Sequence, residues 1–315
     1  MIPVKQLREG DRIKQVFLMR ARKSALSKAG KPYDNVTLQD RTGALDAKIW
    51  EPDSAGIEDV AAPAYVEVSG DISKYMGKLQ MSIKRLRVAD PSEYDEKVYM
   101  PVTPFPMEML YEEIIKFVDS IENQDLKALL DSFFRDEEFV GRFKSHSAAK
   151  SVHHGFVGGL AHHTFMVTRI CSFLASQYKT LNRDLLITAA LCHDIGKTRE
   201  ISAFPENEYT DEGQLLGHIV IGVEMIDEKI REIEGFSPQL AIELKHCILA
   251  HHGEFEFGSP KKPAIMEAIA LNYADNIDAK MEIFTEVLDA AEPNSYDFLG
   301  FNNYLGSNIR RTRGE

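Results

Sequence analysis

The chain has 315 residues, 44% hydrophobic and 27% charged, with a formal charge of −12. This is the make-up of a globular protein with core enough for about two domains. No apolar run reaches the ~18 residues that a membrane helix needs, and residues 1–6 lack a signal-peptide core, so the expected compartment is the cytoplasm, with no membrane partner. Cys171, Cys192 and Cys247 sit singly in helical apolar patterns. They read as reduced core residues, and without a CxxC pair there is no zinc ribbon.

Charge is unevenly spread. Residues 1–90 hold 16 Lys+Arg against 12 Asp+Glu, whereas the remainder holds 21 against 37. A small basic region on an acidic chain suits a polyanion, although a surplus of four is one that any domain of this size can carry. Within it, residues 13–21, 36–39, 45–50, 65–72 and 79–88 read as strands. Asp40-Arg41-Thr42-Gly43 and Met76-Gly77 read as turns. Five strands in under 100 residues predict a small barrel.

The run Tyr33-Asp-Asn-Val-Thr-Leu-Gln-Asp40 followed by Arg41-Thr-Gly43-Ala-Leu-Asp-Ala-Lys48-Ile-Trp50 resembles the OB-fold of nucleic-acid binders. OB-folds stack bases on aromatic rings while basic groups track the phosphates. Tyr33, Trp50 and Tyr75 are the aromatic candidates, and Lys48, Lys74 and Lys84 the basic ones. Phe17 lies between Val16 and Leu18 and reads more readily as core, Trp50 can pack as well as stack, and Arg20 and Arg22 are further cations that can be simply solvated.

Residues 91–106 carry Pro91, Pro101, Pro104 and Pro106, expected as an extended linker between a domain at 1–90 and a second at 107–315. From Met107 the period turns helical. Leu110, Ile114, Phe117, Val118 and Ile121 share a face, and residues 128–134 and 138–143 continue as short helices. The fold class is thus a small β-barrel followed by an all-α domain. Residues 145–160 are glycine-rich, and Lys150, His153 and His154 there are either an active-site rim or plain surface loop.

The chemistry gathers at His193-Asp194, near the end of an apolar helical run, with Gly196 and Lys197 just beyond. Imidazole and carboxylate both ligate divalent transition metals. Helical neighbours point about 100° apart, so the two grip one ion only near a helix end, or if one of them bridges to a second. Lys197, three residues past Asp194, can share its face, and a cation beside a metal suits phosphate oxygens. All ten histidines lie between His146 and His252, and Asp275 follows after Ala274.

The order His, His-Asp, Asp, each on its own helix, resembles the HD-domain metal-dependent phosphohydrolases, and the extra histidines resemble the members that hold two metals. The resemblance implies His163, which directly precedes a threonine, as first ligand ahead of His162. It implies His193 and Asp194 as central ligands, with Asp194 bridging, and Asp275 closing the first site. His218 and one of His251 and His252, taken as His251, would serve the second ion. Asp278 is then a supporting or solvated carboxylate. Mn²⁺ suits such donors, and Fe, Co²⁺, Mg²⁺ or Zn²⁺ are accepted by them as well.

A barrel followed by an HD domain, over nearly the whole chain, resembles the bacterial YhaM family of exonucleases. It implies a 3′–5′ exoribonuclease that trims single-stranded RNA, with single-stranded DNA a further substrate, to nucleoside monophosphates. Asp194 and Lys197 would be its catalytic residues. The polarity comes from the resemblance alone, and the oligomeric state, a homo-oligomer included, stays open. Two other readings compete: a phosphohydrolase of nucleotides or cyclic dinucleotides, and a non-enzymatic single-strand binder. A strand-tracking module argues against the first, and the complete ligand series against the second.

Overall fold

Strand β1 (Arg12–Leu26) is long enough to serve two neighbours. Its first half pairs antiparallel with β4 (Ala64–Tyr75) and its second half with β2 (Pro32–Asp40), the register shifting between Met19 and Ala21. That irregularity turns the strand from one side of the barrel to the other. With β3 (Gly43–Ile49) and β5 (Lys78–Val88) the order is β1-β2-β3-β5-β4, closed back on β1, and β3 runs parallel to β5. This is the five-stranded barrel of the OB-fold. Phe17, Met19, Leu38, Ile49 and Met81 fill its interior. The turn expected at Asp40 is held by that residue: its buried carboxylate accepts from the Thr42 and Gly43 N–H groups and from Val4 N–H.

The computed structural model describes residues 1–27, 29–75, 77–99, 105–148, 156–291 and 296–313. Lys150, His153 and His154 lie outside them. By packing, the chain divides into residues 1–102 and 103–315. The stretch expected as an extended linker starts differently. Residues 91–93 and 96–98 form short 3₁₀ turns, and the Tyr94 ring stacks on Tyr65 of β4 at 4.1 Å. Gln39 Nε2 also donates to Tyr99 O. The rings of Tyr65, Tyr94 and Tyr99 pack on one another, which ties the start of this segment to the barrel.

The second unit contains α1 (Met107–Asp119), α2 (Gln124–Phe134), α3 (Glu137–Ser145), α4 (Gly159–Gln177), α5 (Arg183–Cys192), α6 (Lys197–Glu200), α7 (Asp211–Glu232), α8 (Pro238–Ala250) and α9 (Met266–Ala290). A hairpin, β6 (Phe301–Asn302) and β7 (Ser307–Asn308), follows. Side-chain caps start α2, α3, α5, α7 and α8 at Asn123, Asp136, Asn182, Thr210 and Ser237. Helix α5 is buried on every side from Leu185 to Cys192, and α4, α8 and α9 pack on it. A helix so enclosed needs no polar face. All three cysteines are buried free thiols, Cys192 among them. Among the described residues no helix is long and apolar enough to cross a membrane.

Candidate functional site

His163 sits in the second turn of α4, His193 caps the C-terminus of α5, His251 caps α8, and Asp275 lies in α9. Four helices thus converge on one point. His193 and Asp194 fall where α5 ends and a tight turn leads into α6, so neighbours that would diverge on a continuing helix can face one centre. Gly196 is fixed by packing: a Cβ there would lie 2.0 Å from the His218 carbonyl oxygen. Only glycine lets the turn after Asp194 approach α7 so closely. Helix α7 is kinked at Gly217 (φ 74°, ψ 156°), and His218 opens its second segment.

Two ligand sets result. His163, His193 and Asp275 form one, and His218, His251 and His252 the other, each with donor atoms within 4.8 Å of one another. In the first set His163 Nε2 is 3.1 Å from His193 Nε2 and 3.1 Å from Asp275 Oδ1. Asp194 lies between the sets. Its Oδ2 is 3.4 Å from both His163 Nε2 and His193 Nε2, while its Oδ1 is 3.5 Å from His218 Nε2 and 3.8 Å from His251 Nε2. One oxygen faces each set. Asp194 Oδ1, His218 Nε2 and His251 Nε2 are buried and meet no hydrogen-bond partner. Three lone-pair atoms turned toward one another out of water would cost several kcal/mol unless a cation lies among them. The donor set therefore fits a divalent metal.

Every ring is oriented from behind. His193 Nδ1 meets Ala190 O at 2.8 Å, His251 Nδ1 meets Ile248 O at 2.7 Å, and His252 Nδ1 meets Phe257 O at 2.8 Å. Each Nδ1–H donates to a carbonyl, which leaves Nε2 with the lone pair a metal takes. His218 Nδ1 donates to Glu200 Oε1 at 3.0 Å, and the same oxygen accepts from His218 N–H. His163 Nδ1 donates to Asp278 Oδ2 at 2.7 Å.

The electrostatics follow the same division. Burial pushes the pKa values of His251 and His252 down, with neighbouring imidazoles adding to the shift, so both are neutral. Burial opposes charge on His163 too, but the Asp275 and Asp278 carboxylates outweigh it and push its pKa up to about 10. Burial would raise the Asp194 carboxyl, yet Lys197, His193 and His218 hold it well below the usual range. Lys197 Nζ donates to Asp194 Oδ2 at 2.7 Å, and this carboxylate overcomes burial to raise the ammonium pKa.

The residues expected as ligands are thus brought together. His252, weighed only as the alternative to His251, joins it beside His218, and Asp278 takes the supporting one of its two readings, buried behind His163. His162 belongs to neither set; its ring lies 5.0 Å from that of Phe105. Glu200 had no signal in the sequence, because its bond to His218 spans 18 residues and depends on the kink at Gly217.

On the barrel, Tyr33 and Trp50 lie with ring centroids 5.3 Å apart, and Lys48 Nζ sits 4.8 Å above the Tyr33 ring. Trp50 is 52% exposed. Lys48 also bonds Asn35. Lys48 and Lys84 alternate with the inward-facing Ala47, Ile49 and Ile83 and so point outward from the neighbouring strands β3 and β5. Lys84 pairs with Asp71. Lys74 and the 66%-exposed Tyr75 end β4, apart from that cluster along the strand. Phe17 is core, and Arg22 makes a buried ion pair with Asp34 at 2.8 Å.

Comparison with known proteins agrees with this architecture. The HD domain family matches residues 160–280, which hold both ligand sets. The 3′-5′ exoribonuclease YhaM of Bacillus velezensis is 33% identical over 290 residues, 91% of each chain. Its namesake in Bacillus subtilis is 32% identical over 91% of each chain. The one in a Geobacillus strain is 34% identical over 91% of this chain and 88% of that one. The second OB-fold domain of replication protein A from Methanococcus maripaludis is similar to 28% of this chain, at 18% identity and a TM-score of 0.23. That likeness is too slight to add to the strand order, on which the barrel's assignment rests. An HD domain whose two ligand sets fit divalent metal, a barrel of OB topology, and identity spread over almost the full length of three curated relatives place this chain in the YhaM family of 3′-5′ exoribonucleases.

Proposed function

We propose that this protein is a two-metal 3′–5′ exoribonuclease that removes nucleoside monophosphates from single-stranded RNA, and accepts single-stranded DNA at the same site. The observation that carries the reading is Asp194, whose two oxygens each face a separate set of imidazoles. A carboxylate so placed serves a pair of ions. His163, His193, Asp275 and Asp194 would hold one; His218, His251, His252 and Asp194 the other. Mn²⁺ is the ion that mixed imidazole and carboxylate donors favour here. Divalent ions at such a pair supply Lewis-acid stabilisation of the phosphodiester and make water acidic enough to attack at neutral pH.

The chain's own groups do the rest. Lys197 keeps its charge at the wall of the pocket that opens beside the first set, where a non-bridging phosphate oxygen would need a partner. Its bond to Asp194 aims both groups. Asp278 and Glu200 hold His163 and His218 in place while substrate binds and product leaves. On the barrel, Tyr33, Lys48 and Trp50 offer rings and charge to the strand, with Lys74, Tyr75 and Lys84 as flanking contacts.

The test is one incubation of the full chain with 5′-labelled single-stranded RNA, with Mn²⁺ and with EDTA. A ladder that retains the label and shortens from the 3′ end only with Mn²⁺ is the expected result. Release of labelled mononucleotide at the start, or hydrolysis undiminished by EDTA, would overturn the reading. A labelled DNA oligonucleotide in parallel tests the second substrate.

A further inference from the structure

The pocket beside the first ligand set has a volume of about 380 Å³, within the roughly 300–1,000 Å³ of small-molecule sites. His163, Asp275, Lys197 and His252 are among the residues that line it. So are two aromatic rings, Phe257 and Tyr304, which donate nothing to either ligand set. They are 63% and 65% exposed. Aromatic rings exposed on the wall of a pocket beside a catalytic centre present open π-faces on which a planar group can stack.

Both rings are placed by backbone that is itself anchored. Phe257 follows α8 in a short 3₁₀ turn, and its carbonyl is the acceptor that orients His252. The main chain that fixes a ligand thus also sets a wall of the pocket. Tyr304 sits in the turn between β6 and β7, 29 residues beyond Asp275. Asn302 Oδ1 accepts from Tyr304 N–H at 3.0 Å and Leu305 N–H at 3.1 Å, which shapes that turn. The hairpin is tied down at its base, where Leu299 N–H donates to Ile309 O at 2.8 Å and Ile309 is buried. Arg311 Nη2 then donates to Leu288 O of α9 at 2.7 Å. The C-terminal segment therefore returns along α9 and brings a ring to the pocket.

We propose that Phe257 and Tyr304 form a nucleobase subsite that holds the 3′-terminal nucleoside while its 5′-phosphate lies at the ligand sets. This rests on the exoribonuclease reading above. An enzyme that trims strands of any sequence needs grip on the terminal base without readout of its edge. Stacking supplies that, since every base has a π-face.

The test is equilibrium binding to the Mn²⁺-loaded full chain by calorimetry, with 5′-AMP and ribose 5-phosphate as probes. The two share the phosphate and sugar and differ only in the base. AMP is expected to bind about tenfold or more tighter than ribose 5-phosphate. Phe257→Ala and Tyr304→Ala should each weaken AMP about tenfold and leave ribose 5-phosphate unchanged, while Tyr304→Phe restores AMP binding. Phe257→Ala keeps the carbonyl that orients His252, so the ligand set is not disturbed. Equal wild-type affinities for the two probes, or alanine variants that weaken both alike or neither, would overturn the subsite. A chain that degrades RNA but shows no base contribution loses only this inference. One that binds AMP through both rings yet degrades no RNA keeps the subsite and loses the exoribonuclease reading.

Discussion

Removing the Glu200 carboxylate should weaken one metal site and spare the other. Glu200 Oε1 accepts two bonds from a single residue, at 3.0 Å from His218 Nδ1 and 3.0 Å from His218 N. The second bond satisfies an N–H that Gly217's left-handed backbone leaves at the start of a helical segment. Burial disfavours the ionised acid, but the bonds to His218 outweigh it and lower its pKa, so the acceptor is charged at neutral pH. Hydrogen bonds to charged groups contribute about 1.5–3 kcal/mol net. Loss of a carboxylate behind a ligating histidine costs about 10–100-fold in metal affinity, or about 1.4–2.7 kcal/mol. The two estimates overlap, so Glu200→Ala is expected to weaken the second ion by about one to two orders of magnitude. The assay is Mn²⁺ titration by calorimetry, with elemental analysis of metal retained after dialysis. Glu200→Gln, which keeps the volume and an acceptor oxygen, should lose less. Two sites of unchanged affinity in a folded Glu200→Ala protein would refute the orientation argument.

The remaining expectations concern the other ligands and the barrel. His252→Ala should lower the retained metal from about two ions per chain to about one, and His162→Ala should leave it at two; the reverse pattern by elemental analysis would exchange their roles. His163 carries a proton between Asp275 and Asp278 in the metal-free chain, with its pKa up at about 10 against 6.5 for an ordinary histidine. The stability it contributes is therefore full below 6.5 and lost as pH rises through about 10. Metal must displace that proton, so first-site affinity should rise about tenfold from pH 7 to pH 8, and calorimetry in buffers of different ionisation enthalpy should count close to one proton released. Tyr33→Ala and Trp50→Ala should each raise KM on long RNA about tenfold, from lost stacking. They should leave hydrolysis of a dinucleotide unchanged, and an equal effect on both substrates would remove the barrel from substrate binding.

The barrel was legible because its signals are local. Alternation over each strand and the Asp40–Gly43 turn needed no knowledge of distant residues, and both appear in place. The end of the domain was harder to read. Proline content at 91–106 argues for an extended segment, but Tyr94 and Tyr99 find Tyr65 about 30 residues earlier, and a pairing at that range leaves no periodic trace. The short helix α6 and the kink in α7 were hidden for a related reason. They are set by backbone approaching backbone at Gly196 and His218, and the glycine alone does not say what it approaches.

At the site, the residues that face the centre were readable, and of those behind them Asp278, three residues past Asp275, was readable as a supporting carboxylate while Glu200 was not. A histidine or aspartate in a helical run is conspicuous because its chemistry is rare there, and the order of three such runs, through its resemblance to the HD domain, grouped His163, His193, Asp194 and Asp275. The choice between His251 and His252 could not be made that way, since both are adjacent to the same helix end. The structure turns both Nε2 atoms toward His218, each ring fixed by a different carbonyl. Glu200 shows the limit most plainly. Nothing in Lys197-Thr-Arg-Glu200 marks that acid as different from the many on the surface of a chain with 49 of them. What distinguishes it is burial beside an imidazole that must give its other nitrogen to a metal, and that demand exists only once α6 and α7 have met. The orienting groups are therefore where variants separate the structural argument from the sequence argument. A ligand replaced by alanine tests the family resemblance, whereas Glu200 or Asp278 replaced tests whether these particular helices hold the rings as described.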